Sequence, residues 1–174
     1  MRSVAYQAVF TLVVLAGCSQ PTPSNLQAIA PSTVIGVEVK ESERIIFDTR
    51  NRTVAQFATD SHGIFRQLKK HFETDYKSVP LLTVRARADL ENQSGESFQN
   101  EPIFEVTWSR GELDTIDFSK NLNVFTQDLL ARANQVESFN LAGDFVLTDY
   151  CMTANAQDTQ EVFCDKVIAG LYNK

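Results

Sequence analysis

The chain has 174 residues, of which 43% are apolar, 22% charged and 10% aromatic, a profile that fits one ordinary globular domain and excludes fibrous, largely disordered and multidomain proteins. Its 16 basic and 22 acidic residues leave a net charge of −6. That balance argues against nucleic acid and anionic lipid headgroups as partners, because both are held largely by Lys and Arg set against phosphate.

Residues 1–17, MRSVAYQAVFTLVVLAG, carry one charge, Arg2, and an apolar run from Ala8 to Gly17 interrupted at Thr11. About ten apolar residues rise ~15 Å as a helix, half the thickness of a bilayer core. The segment therefore reads as a signal peptide. Its end, Leu15-Ala16-Gly17-Cys18, resembles the lipobox of bacterial lipoproteins, and the resemblance stops at Cys18. It implies a diacylglyceryl group on the Cys18 thiol, cleavage just before that residue, and acylation of the new amino terminus. Two or more acyl chains anchor stably where one is marginal. Ser19, in place of Asp after the cysteine, implies within that class the outer membrane, with the protein facing the periplasm. Cleavage leaves 157 residues and, with Arg2 gone, a net charge of −7. The lipidated Cys18 and the run to Ser32, SQPTPSNLQAIAPS, hold three of the five prolines and no charge. Residues 18–32 read as an extended tether reaching at most roughly 45–50 Å.

From residue 33 onward the patterning predicts a single α+β domain. Thr33–Val39 and Arg44–Asp48 are Val- and Ile-rich runs joined by the charged turn Lys40-Glu41-Ser42-Glu43, a hairpin signature. Between Thr53 and Phe72 the period changes, and Val54, Phe57, Ala58, Ser61, Phe65, Leu68 and Phe72 form one helix face. After Pro80 the period returns to two, with Leu82, Val84, Ala86, Ala88 and Leu90 facing inward and Arg85, Arg87 and Asp89 outward. The polar stretch Asn92–Asn100 leads into the alternating Phe104, Val106 and Trp108, and Arg110-Gly111 suggests a tight turn into a strand at Leu113–Phe118. These three runs predict an antiparallel meander with Arg85, Arg87 and Glu105 pairing across its polar face. A second helix is expected from Ser119, with Leu122, Phe125, Leu129, Ala133 and Val136 packed on the sheet.

For the last 35 residues two readings stay open. Leu141, Phe145 and Tyr150 fit a helix, while Asp144–Asp149 also fits a strand; we favour two helices around the polar turn Ala154–Asp158. With Cys18 lipidated, Cys151 and Cys164 remain as an even pair in an oxidising compartment, and a disulfide between them is expected. Closing that loop contributes roughly 3 kcal/mol on the chain-entropy estimate.

Signatures of catalysis are missing. There is no G-x-S-x-G, S-x-x-K, H-E-x-x-H or P-loop run. His62 and His71, nine residues apart on one predicted helix, point to nearly opposite sides at about 100° per residue, cannot share a metal, and are each expected on the helix surface. The acids Asp114 with Asp117, Asp144 with Asp149, and Asp158 with Glu161 and Asp165 are the candidates for a hydrolytic pair. Neither a metal nor a cofactor is expected. Phe98, in the polar stretch Glu91–Glu101 where no period accounts for it, is a candidate partner contact or a lid folded on the sheet.

The expected function is that of a non-enzymatic outer-membrane lipoprotein that binds an envelope protein as an accessory or assembly factor. A domain enclosing a lipid or other apolar ligand beside the small Ala86 and Ala88 is the alternative, and an acid-pair hydrolase a lesser one. Replacing Cys18→Ala is expected to abolish fatty-acid labelling and membrane retention; unchanged labelling and fractionation would overturn the anchor.

Overall fold

The computed structural model describes residues 23–40, 43–70, 79–119, 122–153 and 158–172. The leader, Cys18, His71 and most of the turn Ala154–Asp158 lie outside the described residues. The elements run α1 (Pro23–Ile29), β1 (Val34–Lys40), β2 (Arg44–Arg50), α2 (Val54–Lys69), β3 (Leu81–Glu91), β4 (Ser97–Ser109), α3 (Arg110–Asp114), α4 (Leu122–Ala131), β5 (Gln135–Ser138), α5 (Leu141–Thr153) and α6 (Asp158–Tyr172). The fold is α+β. Its sheet has five strands in sequence order, β1 to β5.

All neighbours are antiparallel except β2 and β3, which run parallel. The exception follows from α2. Sixteen helical residues rise ~24 Å, matching the ~23 Å length of the seven-residue β2, so the helix returns the chain to the end where β2 began. Thr53 caps α2 by accepting from the Gln56 backbone N–H at 3.3 Å. The inward face then buries Val54, Phe57, Ala58, Phe65 and Leu68, with Ile64 beside them. Opposite them stand Ile45 and Phe47 of β2, Leu82, Val84 and Ala86 of β3, and Phe104, Val106 and Trp108 of β4. Phe57 meets Phe104 at 4.8 Å between ring centroids, and Phe65 meets Trp108 edge-on at 5.0 Å.

Four expectations need correction. The expected extended run over residues 18–32 is corrected from Pro23 onward, because Pro23–Ile29 is helical and Leu26 is wholly buried in the core. Leu26 and Ile29 give this proline-rich segment enough apolar surface to dock beside β1, where Gln27 donates to the Val34 carbonyl at 3.0 Å. The polar stretch before Phe104 is a turn followed by strand from Ser97 onward. Asn92 Oδ1 accepts from the N–H groups of Ser94 and Glu96, closing a turn with Gly95 at φ 80°, and β4 begins at Ser97. Its polarity reflects the absence of a covering layer, not of a ladder.

The expected strand at Leu113–Phe118 is replaced by α3 and a turn. Ser109 caps α3 by accepting from the Glu112 N–H at 3.3 Å, the Ser-x-x-Glu arrangement that starts helices, and the three-residue spacing buries Leu113 and Ile116 on one side. The third antiparallel strand is instead β5. Val136, expected on the second helix, lies on it because α4 ends at Ala131 and the Asn134 N–H donates to the Thr107 carbonyl at 2.8 Å. A four-residue strand with Val136 and Ser138 inward is too short to set its period against the helical one.

Toward the C-terminus, α5 and α6 are both helical and Cys151 is bonded to Cys164, with Cα atoms 5.6 Å apart. A Cβ at Gly143 would lie 1.9 Å from the Ile103 carbonyl oxygen, and one at Gly170 would lie 2.5 Å from that of Val136. Glycine at these positions lets α5 and α6 approach the backbone of β4 and β5.

Leu26→Ala is expected to destabilise the protein by about 2–5 kcal/mol, read from urea unfolding midpoints. A change near zero would restore the free tether.

Candidate functional site

The sheet face away from α2 carries an ion-pair network. Arg85 Nε donates to Glu105 Oε2 at 3.0 Å, and Arg44 reaches the other oxygen of the same carboxylate. Arg85 also lies 3.7 Å from Asp48 and 3.6 Å from Glu38, and its guanidinium stands 6.0 Å from the Phe139 ring centroid. Arg87 pairs with Asp48 at 2.8 Å and donates to the Asn100 carbonyl at 2.7 Å. The expected Arg85–Glu105 pair is present, while Arg87 turns to Asp48. Three carboxylates thus face three guanidiniums, and the Glu105 side chain is only 5% exposed. Losing one partner of so buried a pair leaves a desolvated charge. The network's strongest chemical property is self-neutralisation.

The acids singled out by sequence fall on α3 and the turn after it, on α5 and on α6. Asp114 pairs with Arg110 one turn back at 3.7 Å. Asp117 accepts from the backbone and hydroxyl of Ser119, as turn-forming acids do. Asp144 lies in the first turn of α5, where the helix dipole favours an acid, and Asp149 stands exposed further along the same helix. Glu161 and Asp165 lie on the exposed side of α6. Among the described residues no three His, Cys, Asp or Glu are grouped to hold a metal ion, and no helix is long and apolar enough to cross a membrane. Phe98 is not on a loop. It sits on β4 opposite Leu90, 39% exposed. Ala86 is buried opposite Phe104, and the aromatic rings from α2 occupy the layer above it. Clefts lie at element borders. One, of about 530 Å³, runs between β5 and α6 and is lined by Gln135, Glu137, Lys166 and Gly170 among others.

His62, expected on the helix surface, is buried with its ring 5.9 Å from that of Phe118. Burial first, and the charge of Arg66 second, hold its pKa below the ordinary 6.5. Lys166 is also drawn inward, donating to the carbonyls of Ala131 and Ala133 at 2.6 Å each. It caps the C-terminal end of α4, and burial lowers its pKa despite the opposing pull of Glu112.

The region that the sequence reading missed is the outer face of α5. Leu141, Phe145 and Met152 are 85%, 71% and 81% exposed. At 100° per residue they fall within about 40° of one another, with Thr148 between them. The opposite side of the helix buries Gly143 and Leu147 and packs Val146 and Tyr150 on the core. Two apolar stripes on one helix were the available signal, since a helix apolar all round is ordinarily covered all round. Phe145 also lines a cleft of about 230 Å³ between α5 and the start of α2, with Arg52, Ala55 and Asp149.

No protein-family model matches the chain, and comparison with curated proteins and with solved structures finds no significant similarity.

Because the folded His62 binds a proton less readily than the unfolded one, stability is expected to be full above pH ~6.5 and to fall as pH drops below it. His62→Asn is expected to flatten that part of the pH dependence. An unchanged slope of urea midpoints between pH ~7.5 and ~5.5 would remove His62 as its source.

Proposed function

We propose that this is a lipid-anchored, periplasm-facing protein of the outer membrane that acts by binding another envelope protein, as an accessory or assembly factor, with α5 as its docking element. The observation that carries the reading is the stripe of Leu141, Phe145 and Met152, three large apolar side chains left to water on a helix whose other side is fixed in the core. Such contiguous exposure is unfavourable unless a partner covers it. Phe98, half exposed near the tip of the β3–β4 hairpin, is a secondary contact at most, because it stands without a comparable apolar stripe. A binding role is also supported by the pairing of Asp48 and Glu105 with arginines.

The docking of α1 bears on where that binding occurs. From Cys18 to Pro23 is five residues, a span of at most about 17 Å, so an anchor at Cys18 holds the domain close to the membrane rather than well clear of it. The partner is then a membrane protein or one held at the bilayer surface.

The test places a photoreactive amino acid at position 145 in the lipidated protein at native expression, with position 66, exposed on α2, as control. One recurring protein adduct from position 145, absent from position 66 and reduced by Met152→Ser, is expected. No adduct at 145, or the same adducts at both positions, would overturn the reading.

A further inference from the structure

We propose that α5 and the adjoining side of α6 receive a basic amphipathic helix of the partner protein; this rests on the protein-binding reading above and names the chemistry of what binds there. On α6 the outward sector next to Cys164, placed by the same helical rotation, holds Glu161, Asp165, Ile168 and Tyr172, all exposed. The disulfide joins this sector to α5. The combined surface therefore has an apolar part, Leu141, Phe145, Met152, Ile168 and Tyr172, flanked by Asp149 on the side of α2 and by Glu161 and Asp165 on α6.

Its charge is one-sided. By sequence α5 and α6 carry Asp144, Asp149, Asp158, Glu161 and Asp165 against a single base, Lys166. Lys166 is turned to the end of α4, where it donates to two carbonyls. Arg52, just before α2, lines the same cleft as Phe145 and Asp149, and no base lies beside Glu161 and Asp165 among the outward residues of α6 other than Lys166. A partner surface of matching chemistry is apolar along one stripe and bears Lys or Arg along its flank. A second copy of this chain fits poorly, because a twofold contact would set Glu161 and Asp165 near their own equivalents. An anionic lipid surface meets the same repulsion.

Length and stiffness point to a helix. Leu141 to Met152 covers about three turns, ~16 Å of rise, which suits anchors spaced at i, i+4 and i+7 or i+8 on a facing helix. The close approach of Gly143 to Ile103 and the Cys151–Cys164 bond hold α5 in place, so little order is lost on binding.

The experiment titrates the mature lipoprotein, in nanodiscs of phosphatidylcholine and against empty nanodiscs, with three fluorescent peptides of about 18 residues. One has a leucine face flanked by lysines, one the same face flanked by glutamates, and one the lysine composition in shuffled order. The first is expected to bind at least about tenfold more tightly than the others, and to lose about tenfold on Phe145→Ser or on raising salt from about 0.05 M to about 0.5 M. Phe145→Ser should leave the urea midpoint unchanged, since the side chain is mostly in water. Reversing Glu161→Lys and Asp165→Lys together is expected to weaken the lysine-flanked peptide and strengthen the glutamate-flanked one. Equal binding of the three peptides, indifference to Phe145→Ser, or no response to the charge reversal would overturn the proposal. If position 145 crosslinks a protein in cells while the lysine-flanked peptide does not bind, the partner's chemistry is wrong and the protein-binding reading stands. If position 145 crosslinks nothing, that reading falls with the proposal.

Discussion

The fold is organised by the seating of Trp108. Its ring is fully buried, meets Phe57 and Phe65 about two turns apart on α2, and donates its Nε1–H to the Leu129 carbonyl at 2.7 Å. One side chain thereby ties β4 to α2 through packing and to α4 through a hydrogen bond, in a layer where an unmet indole N–H would be costly. The β3–β4 ladder that carries it is the longest in the sheet, running from Leu81 opposite Ser109 to Glu91 opposite Ser97. Everything C-terminal to β4 is placed relative to this centre. Asn134 starts β5 by bonding back to Thr107, and the Asn140 side chain reaches the Pro102 carbonyl as α5 begins.

The outer face of α5 is a consequence of that placement. Gly143 fixes the inward side by letting the helix backbone touch β4, Leu147 buries beside it, and the disulfide fixes the end near α6. With the inward side so constrained, helical geometry leaves Leu141, Phe145 and Met152 no direction but outward. The exposure is thus enforced by tight packing behind the helix, and rotating the stripe into the core would break the glycine contact and the disulfide together.

The two charged surfaces differ in kind. On the open sheet face Arg44, Arg85 and Arg87 answer Glu38, Asp48 and Glu105, and Arg85 lies flat enough to meet Phe139. Such long side chains cover the sheet with their own methylenes while their charges cancel. By sequence α5 and α6 set five acids against one base, Lys166. A cancelled surface gives little long-range field, whereas a one-signed surface steers an oppositely charged partner before contact.

Local order was legible wherever a period ran long enough to declare itself. The residues alone determined the α+β class, the first hairpin, α2 with its buried stripe, the inward residues of β3 and β4, and the pairing of Cys151 with Cys164. Each rests on repeated spacing or on an even cysteine count. The parallel β2–β3 pair, β5 in place of a strand at Leu113–Phe118, the docking of α1 through Leu26, and the outward direction of α5 were decided by tertiary structure. Four residues at β5 cannot separate a period of two from one of 3.6, and a proline-rich run says nothing of a core it has yet to meet. On a helix apolar on both sides, sequence cannot say which stripe is covered; that depends on which one finds a backbone close enough to require glycine.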